Sequence, residues 1–367
     1  MDVVVAVLWF ALGVVLVLLV LDSAVRTFVL PRGVAPLLTR TVFAGLRACF
    51  AALARTARTY DGRDAVMALY GPVGLLVLPF VWIVFTLVAF AAMFRALGVS
   101  GYERAFEMSG SSLFTLGFVR PPDFVATCFA FLEAAFGLGL LALLIAYLPT
   151  IYAAFSRREV MVGQLATFSG QPPSGVEILL RTHRMERSHL LGDVWVQWQG
   201  WFAEIEETHT SLAVVNFFRS PTPHRSWVTA AGAVLDAASL RLAVVDDVGF
   251  DPQAGLLVRS GRYALNAVAA YFDLPHDADP APTDPILVTR DEFEAACDAL
   301  VAGGIAVRAD RDAAWADFAG WRVNYDLALV GIAGLVMAPY APWSSDRSPR
   351  NRRRRLRHRH RHRRAQR

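Results

Sequence analysis

The residues best suited to chemistry in this chain are oxygen donors in a short polar stretch, Ser109 to Arg120. Its central residues offer hydroxyl or backbone carbonyl oxygens: Thr115, Leu116, Gly117 and Phe118. Carbonyl oxygens of this kind can replace the hydration shell of a monovalent cation when several converge. Gly117 matters because such carbonyls align only where some residues adopt positive φ, which glycine does at little cost. The stretch therefore predicts ion coordination.

Two long apolar runs flank this stretch. Residues 72–94 contain no charged side chain, and residues 124–155 contain only Glu133. Each run exceeds the roughly 20 apolar residues that cross a bilayer core of about 30 Å. Residues 95–123 are too polar to cross again, and irregular backbone is tolerated at membrane depth only where it lines a cavity enclosed by protein. We therefore expect two spans with a re-entrant segment between them.

The segment from Tyr102 to about Leu113 is predicted to form a half-helix with its carbonyl end toward the membrane centre. A helix carries about half a negative charge at that end, which favours a cation there. The alternative is an extracellular turn in which Thr-Leu-Gly-Phe occurs by chance, because four letters are weak evidence alone. Their position after a half-helix and between two spans favours a pore loop.

A third apolar run, Val3 to Leu21, is also long enough to span. The competing interpretation is a cleaved signal peptide, which needs a positive amino-terminal region, a core of about 7–15 apolar residues and a small-residue cleavage site. Asp2 precedes this longer run, and no Ala-x-Ala-like site follows it. We therefore predict a retained first span within residues 1–22.

Arginines predict the orientation of these spans. Residues 22–69 contain seven arginines and three aspartates, and Arg157 and Arg158 follow the last span. Such an excess marks the cytoplasmic side of the membrane. We therefore expect a bacterial-type inner membrane protein with its N-terminus outside the cell and its C-terminal part in the cytoplasm. Within residues 23–69 the helical spacing of apolar residues predicts an amphipathic helix on the inner membrane surface: Val42, Phe43, Leu46, Cys49, Phe50 and Leu53. This helix is either a connector that rests on anionic lipid or an element that couples the cytosol to the pore.

The stretch from Ser112 to Phe118 resembles the T-x-x-T-V-G-Y-G signature of bacterial potassium channels of the two-helix, pore-loop type. Three further segments resemble the inner helix of members with a cytosolic extension: Gly137-Leu138-Gly139-Leu140-Leu141, Ala146-Tyr147-Leu148-Pro149 and Ser156-Arg157-Arg158-Glu159. The resemblance covers about residues 70–165. It implies that the ion-coordinating positions are Thr115, Leu116, Gly117 and Phe118.

The resemblance also implies supporting roles and an assembly. Ser112 takes the place of the family's first threonine, while Val119 stands where the family has its second glycine, so the outermost carbonyl ring differs in shape. Arg120 replaces the usual aspartate and would repel cations at the external mouth unless Asp123 pairs with it. Cation conduction is thus more strongly implied than strict potassium selectivity. Because the chain has one such loop and no internal repeat, a ring of carbonyls implies a homotetramer.

The inner helix offers four candidate positions for gating or for the cavity: Glu133, Gly137, Gly139 and Pro149. Glu133 lies about 14 Å along the span at 1.5 Å per residue. It could face the cavity and attract cations, support the pore helix through Ser109 or Ser111, or bond locally to backbone. Gly137 and Gly139 permit bending or close helix approach, and Pro149 is predicted to kink the helix. We hypothesise a gate at or below Gly139, with plain packing as the alternative.

Residues 157–348 have ordinary polarity and predict a helical cytosolic bundle. The expected helices are Leu190–Glu206, Trp227–Val245, Ala254–Phe272, Arg290–Val301 and Ala313–Met337. Thr289 and Glu292 form a capping-box pattern. Trp195, Trp198 and Trp201 share one helix face, which is more typical of a core than of a ligand site. No catalytic motif is present, so an enzyme is not predicted. The acidic group Glu204, Glu206, Glu207 and His209 lacks established metal-ligand spacing.

The last segment, residues 349–367, is a disordered tail on composition. Residues 350–367 hold eleven of the 36 basic residues, all arginine, so the rest of the chain has 25 basic against 32 acidic groups. Attraction to anionic inner-leaflet lipid is the favoured role of the tail, and nucleic-acid binding is not expected because no aromatic residues accompany the arginines.

The sequence thus predicts an all-α membrane protein with three transmembrane helices, a re-entrant pore helix and filter loop, and a helical cytosolic domain. The pore module is assigned to residues 70–156. The predicted function is a potassium-conducting channel subunit, with no cofactor and no metal beyond the conducted ion. One rival is a non-conducting membrane receptor or scaffold that keeps the pore-loop architecture and senses a ligand in the cytosolic domain. The other is a membrane-anchored enzyme or ligand-binding bundle.

Overall fold

A computed structural model describes residues 2–28, 36–186, 190–246, 249 and 251–347, and the arginine-rich tail lies outside them. The chain is all-helical, with 74% helix and no strand in the described part. It divides into two compact units, the first ending at Ala153 and the second beginning at Ala154.

The described part of the first unit contains five helices and most of a sixth. They are α1 (Val3–Phe28), α2 (Leu37–Thr56), α3 (Tyr60–Ala68), α4 (Tyr70–Ala96), α5 (Tyr102–Leu113) and α6 (Phe124–Leu165). The three predicted spans lie within α1, α4 and α6. The predicted half-helix is α5.

Among the described residues, four helical stretches are long and apolar enough to cross a membrane: α1, α2, Tyr60–Ala96 and α6. The structure therefore supports a membrane protein. Helix α2, which was not predicted to be a span, contains the predicted amphipathic helix. Its mean hydropathy of 1.4 is well below the 3.2, 2.6 and 2.3 of the others.

Polar contacts between buried side chains hold α1 and α2 against α4. Trp82 of α4 donates its indole N–H to Ser23 Oγ at 2.8 Å. The Ser23 hydroxyl also lies 2.8 Å from that of Thr39 in α2. Such inter-helix hydrogen bonds, together with small residues, are the usual means of association where lipid removes the hydrophobic driving force.

Helix α6 continues past Pro149 to Leu165. Proline removes one backbone hydrogen bond, which long helices can absorb. The predicted helical span is present, and the proline does not end it.

The second unit is a helical bundle. Its remaining helices are α7 (Gly175–Arg184), α8 (Leu191–Ser211), α9 (Trp227–Ala243), α10 (Pro252–Tyr271), α11 (Arg290–Ala302), α12 (Arg311–Arg322) and α13 (Asp326–Leu335). All three tryptophans of α8 are buried in the core, as predicted. The capping box at Thr289 and Glu292 is also present. Helix α7 was not predicted from the sequence.

One predicted helix was wrong. The segment predicted as Ala313–Met337 is two helices, α12 and α13. Asn324 ends the first because its Nδ2 donates to Gly320 O at 2.8 Å and to Trp321 O at 3.1 Å, which satisfies carbonyls at the helix end. The fully buried Arg322 then pairs with Asp236 and with Asp326, so the break is stabilised by a core ion network.

Two members of the predicted acidic group of α8 make contacts within the bundle, Glu204 and His209, while Glu206 and Glu207 are exposed. Glu204 accepts a hydrogen bond from Arg157. His209 is fully buried, with its ring centroid 4.7 Å from that of Trp227. Burial, followed by the nearby Arg158 charge, lowers the pKa of His209 well below its usual value. The neutral imidazole is therefore a core group of the bundle.

Candidate functional site

The site is built around the carboxyl end of α5. This helix begins after Gly101, which has φ of +83°. Its residues Ala105 and Met108 are buried in one apolar cluster with Phe90 of α4 and Ala130 of α6. Helix α5 is therefore packed against both long helices.

A buried polar contact fixes how far α5 reaches along its neighbours. Ser109 Oγ lies 2.9 Å from Leu87 O of α4 and 2.5 Å from Glu133 Oε1 of α6. Ser109 and Glu133 are both completely buried. This contact favours the predicted support of α5 by Glu133 over a carboxylate facing open space.

The loop after α5 is wrapped around Ser111. The carbonyl oxygen of Ser111 accepts hydrogen bonds from Leu116 N at 2.8 Å and Gly117 N at 3.3 Å. Its hydroxyl oxygen accepts from Val119 N at 3.1 Å. Ser111 thus anchors the middle of the candidate filter and the residue that follows it. Nothing in the sequence distinguishes Ser111 from the neighbouring Ser109 and Ser112, so this anchoring role was not predicted.

The backbone conformation differs among the predicted filter residues and their neighbours. Gly117 has φ of +71°, as expected, and Thr115 also has positive φ at 55°. Val119 is not among the described residues with positive φ, so its backbone is free of the strain considered for a β-branched side chain. Ser112 donates its hydroxyl to Met108 O at 2.9 Å within α5.

Large apolar side chains of the loop are uncovered in the single chain. Leu116 is 63% exposed and Phe118 65% exposed. Contiguous exposed apolar surface marks contact with another protein chain or with lipid. The candidate filter therefore lies on a surface suited to assembly.

The two glycines of α6 differ in surroundings. A Cβ on Gly137 would lie 2.6 Å from Leu113 O and 2.8 Å from Leu113 Cδ1. A Cβ on Gly139 would have nothing within 4 Å. Gly137 thus permits the close approach of α6 to the end of α5, while Gly139 faces open space in the chain.

Arg120 and Asp123 do not form the pair considered above. Asp123 Oδ1 accepts from Ala126 N at 2.8 Å, as a cap of α6. Arg120 is exposed. The guanidinium of Arg120 therefore places a positive charge beside the candidate filter loop, without an Asp123 carboxylate to neutralise it.

A first prediction concerns Glu133. We expect Glu133→Gln to keep the folded assembly, because an amide can donate to Ser109 Oγ while the serine hydroxyl donates to Leu87 O. Glu133→Ala should lower the free energy of unfolding by about 1–3 kcal/mol, because it removes the hydrogen-bond partner of Ser109 and leaves a cavity where the glutamate side chain was. Thermal unfolding of the detergent-solubilised protein measures both. Equal melting temperatures for the two variants would contradict a structural role of the contact.

The fold and the site define an all-helical membrane protein with a serine-anchored loop between two long helices. Comparison of the chain with protein-family models, curated proteins and solved structures found no match. Its function is therefore inferred from residues and contacts.

Proposed function

We propose that the chain is a subunit of a homotetrameric cation channel selective for potassium. Backbone oxygens of Thr115, Leu116, Gly117 and Phe118 from four copies would surround the ion in place of water. The observation that carries this proposal is the loop held by Ser111, with positive φ at Gly117, at the carboxyl end of a helix packed between two long apolar helices.

The depth of the contact at Ser109 supports a re-entrant helix. Leu87 lies well inside α4, and Glu133 lies beyond the second turn of α6. A helix that merely rested outside the membrane would contact the ends of those helices instead. The partial negative charge at the end of α5 would then act near the membrane centre, where low dielectric strengthens its attraction for a cation.

The exposed surface supports the tetramer. Leu116 and Phe118 need a cover, and a single loop cannot enclose an ion. Four copies around one axis would cover these side chains and complete the ring of carbonyls. Four Arg120 side chains would then form a positive ring near the external mouth. Because this ring would repel cations, ion selectivity is the most informative property to measure.

The proposed topology places the N-terminus outside and the second unit in the cytoplasm of an inner membrane. Helix α2 would lie on the cytoplasmic surface, where its arginines meet anionic lipid. The gate is placed at or below Gly139 on α6. No nucleic acid partner is proposed.

A second prediction tests conduction and selectivity together. Purified protein should behave as a tetramer in detergent and should carry current in planar bilayers, with a reversal potential near the potassium equilibrium value in mixed potassium and sodium. Equal permeability would remove the potassium assignment and leave a cation channel. A monomer without ion flux would favour the non-conducting receptor or scaffold.

A further inference from the structure

A cleft in the second unit plays no part in the proposed pore. It lies between the segment 216–220, the beginning of α9 and Val336. Its volume is about 270 Å³ when the space at its open mouth is included.

Polar atoms without partners are concentrated around this cleft. Asn216 Oδ1, Ser220 Oγ and Arg225 Nε are buried and have no hydrogen-bond partner among the described residues. Asn216 is only 1% exposed. Its Nδ2 donates to His209 O at 2.8 Å and Ala213 O at 3.0 Å, which fixes Oδ1 as an acceptor. Because unpaired buried polar groups are unfavourable, three beside one cleft indicate a polar ligand.

The charge of the lining favours an anion. Arg219 and Arg225 both line the cleft, and no acidic side chain does so among the described residues. Arg219 is held in place, since its guanidinium donates to Val336 O at 2.6 Å and to Met337 O at 3.2 Å. Helix α9 begins at Trp227, and its N-cap Ser226 makes no side-chain capping bond. The positive end of that helix therefore adds to the field.

We propose that this cleft binds hydrogen phosphate. The ion can accept hydrogen bonds from Arg225 Nε and the Ser220 hydroxyl, and its own P–OH can donate to Asn216 Oδ1. Sulfate has the same shape but carries no hydrogen at neutral pH, so it would leave the asparagine oxygen unpaired. The site thus favours phosphate over sulfate.

The cleft is linked by hydrogen bonds to the end of α6. Arg158 donates to Val215 O and to Phe218 O, each at 2.8 Å. These two residues bracket Asn216 and belong to the same short segment. Phosphate binding would therefore bear on the position of the α6 end and so on opening of the gate. This second step rests on the proposed channel function, whereas binding itself does not.

The test is equilibrium dialysis of the purified full-length protein in detergent against radiolabelled inorganic phosphate. We expect saturable binding of one phosphate per chain, with sulfate a weaker competitor. Arg225→Gln should weaken binding about tenfold to hundredfold, as expected for loss of a charged hydrogen bond. Arg259→Gln is the matched control, because it removes the same charge from an exposed position on α10 and should leave the affinity unchanged.

Absence of saturable binding, or equal affinity in the Arg225→Gln and Arg259→Gln variants, would overturn the site and leave ordered water as its occupant. If Arg225→Gln fails to fold, Ser220→Ala makes a smaller change at the same cleft and must also weaken binding. Bilayer currents with and without phosphate then test the link to α6. Intact binding with unchanged currents would reject that link, and a protein without current would still report on binding.

Discussion

Replacing Gly117 by aspartate is expected to abolish ion conduction. Gly117 has φ of +71°, a conformation that glycine adopts far more readily than residues with a side chain. In the proposed tetramer the change would also place four carboxylates beside the ion path. Conduction requires that a cation bind weakly enough to leave, so these charges should trap the ion. Single-channel recording in planar bilayers measures the loss.

The matched control for this change is Gly98→Asp. Gly98 also has positive φ, at +99°, and a Cβ there would meet nothing within 4 Å, as at Gly117. The two variants therefore introduce the same residue at positions that both have positive φ and open surroundings. Current should persist in Gly98→Asp. Undiminished current in Gly117→Asp would remove the loop from the ion path.

The second large effect is expected from Gly137→Ala. The new methyl group would lie 2.6 Å from Leu113 O, too close for any contact, so α6 must move away from the end of α5. Overpacking of this kind costs about 1–3 kcal/mol, which exceeds the gain of about 1 kcal/mol from replacing a helical glycine by alanine. We expect a lower unfolding temperature and a large loss of current, because the end of α5, which leads into the proposed filter, loses its close contact with α6.

Gly139→Ala separates crowding from helix propensity. It lies two residues away on the same helix, and its methyl group would meet nothing within 4 Å in the chain. Its unfolding temperature should equal or exceed that of the unchanged protein. If both variants were equally stable, the close approach of α5 and α6 at Gly137 would have no energetic importance.

Several features were predictable from sequence because they depend on residues close together in the chain. That α1, α4 and α6 are long and apolar enough to cross a membrane follows from the apolar runs in the sequence. The capping box at Thr289 and the tryptophan face of α8 follow from helical periodicity. Positive φ at Gly117 follows from residue type and its place in a loop.

Other features were decided by contacts between distant residues. The polar pair of Ser109 and Glu133 depends on the rotation of two helices about their axes, which no single helix pattern specifies. The end of α12 depends on the side chain of Asn324 and on a buried ion network with Asp236. The contacts of Ser111 lie within eight residues of it, but Ser109 and Ser112 are chemically identical neighbours, so the sequence does not show which serine anchors the loop.

For this protein, the sequence by itself determined that the chain is helical and that parts of it can cross a membrane, whereas cation coordination at residues 115–118 stays a prediction. Only the tertiary structure decided which serine anchors the loop, which glycine of α6 allows close packing, and which polar atoms line the cleft near α9. The physical reason is that apolar length and periodicity are local properties. The pairing of polar groups is set by packing in three dimensions.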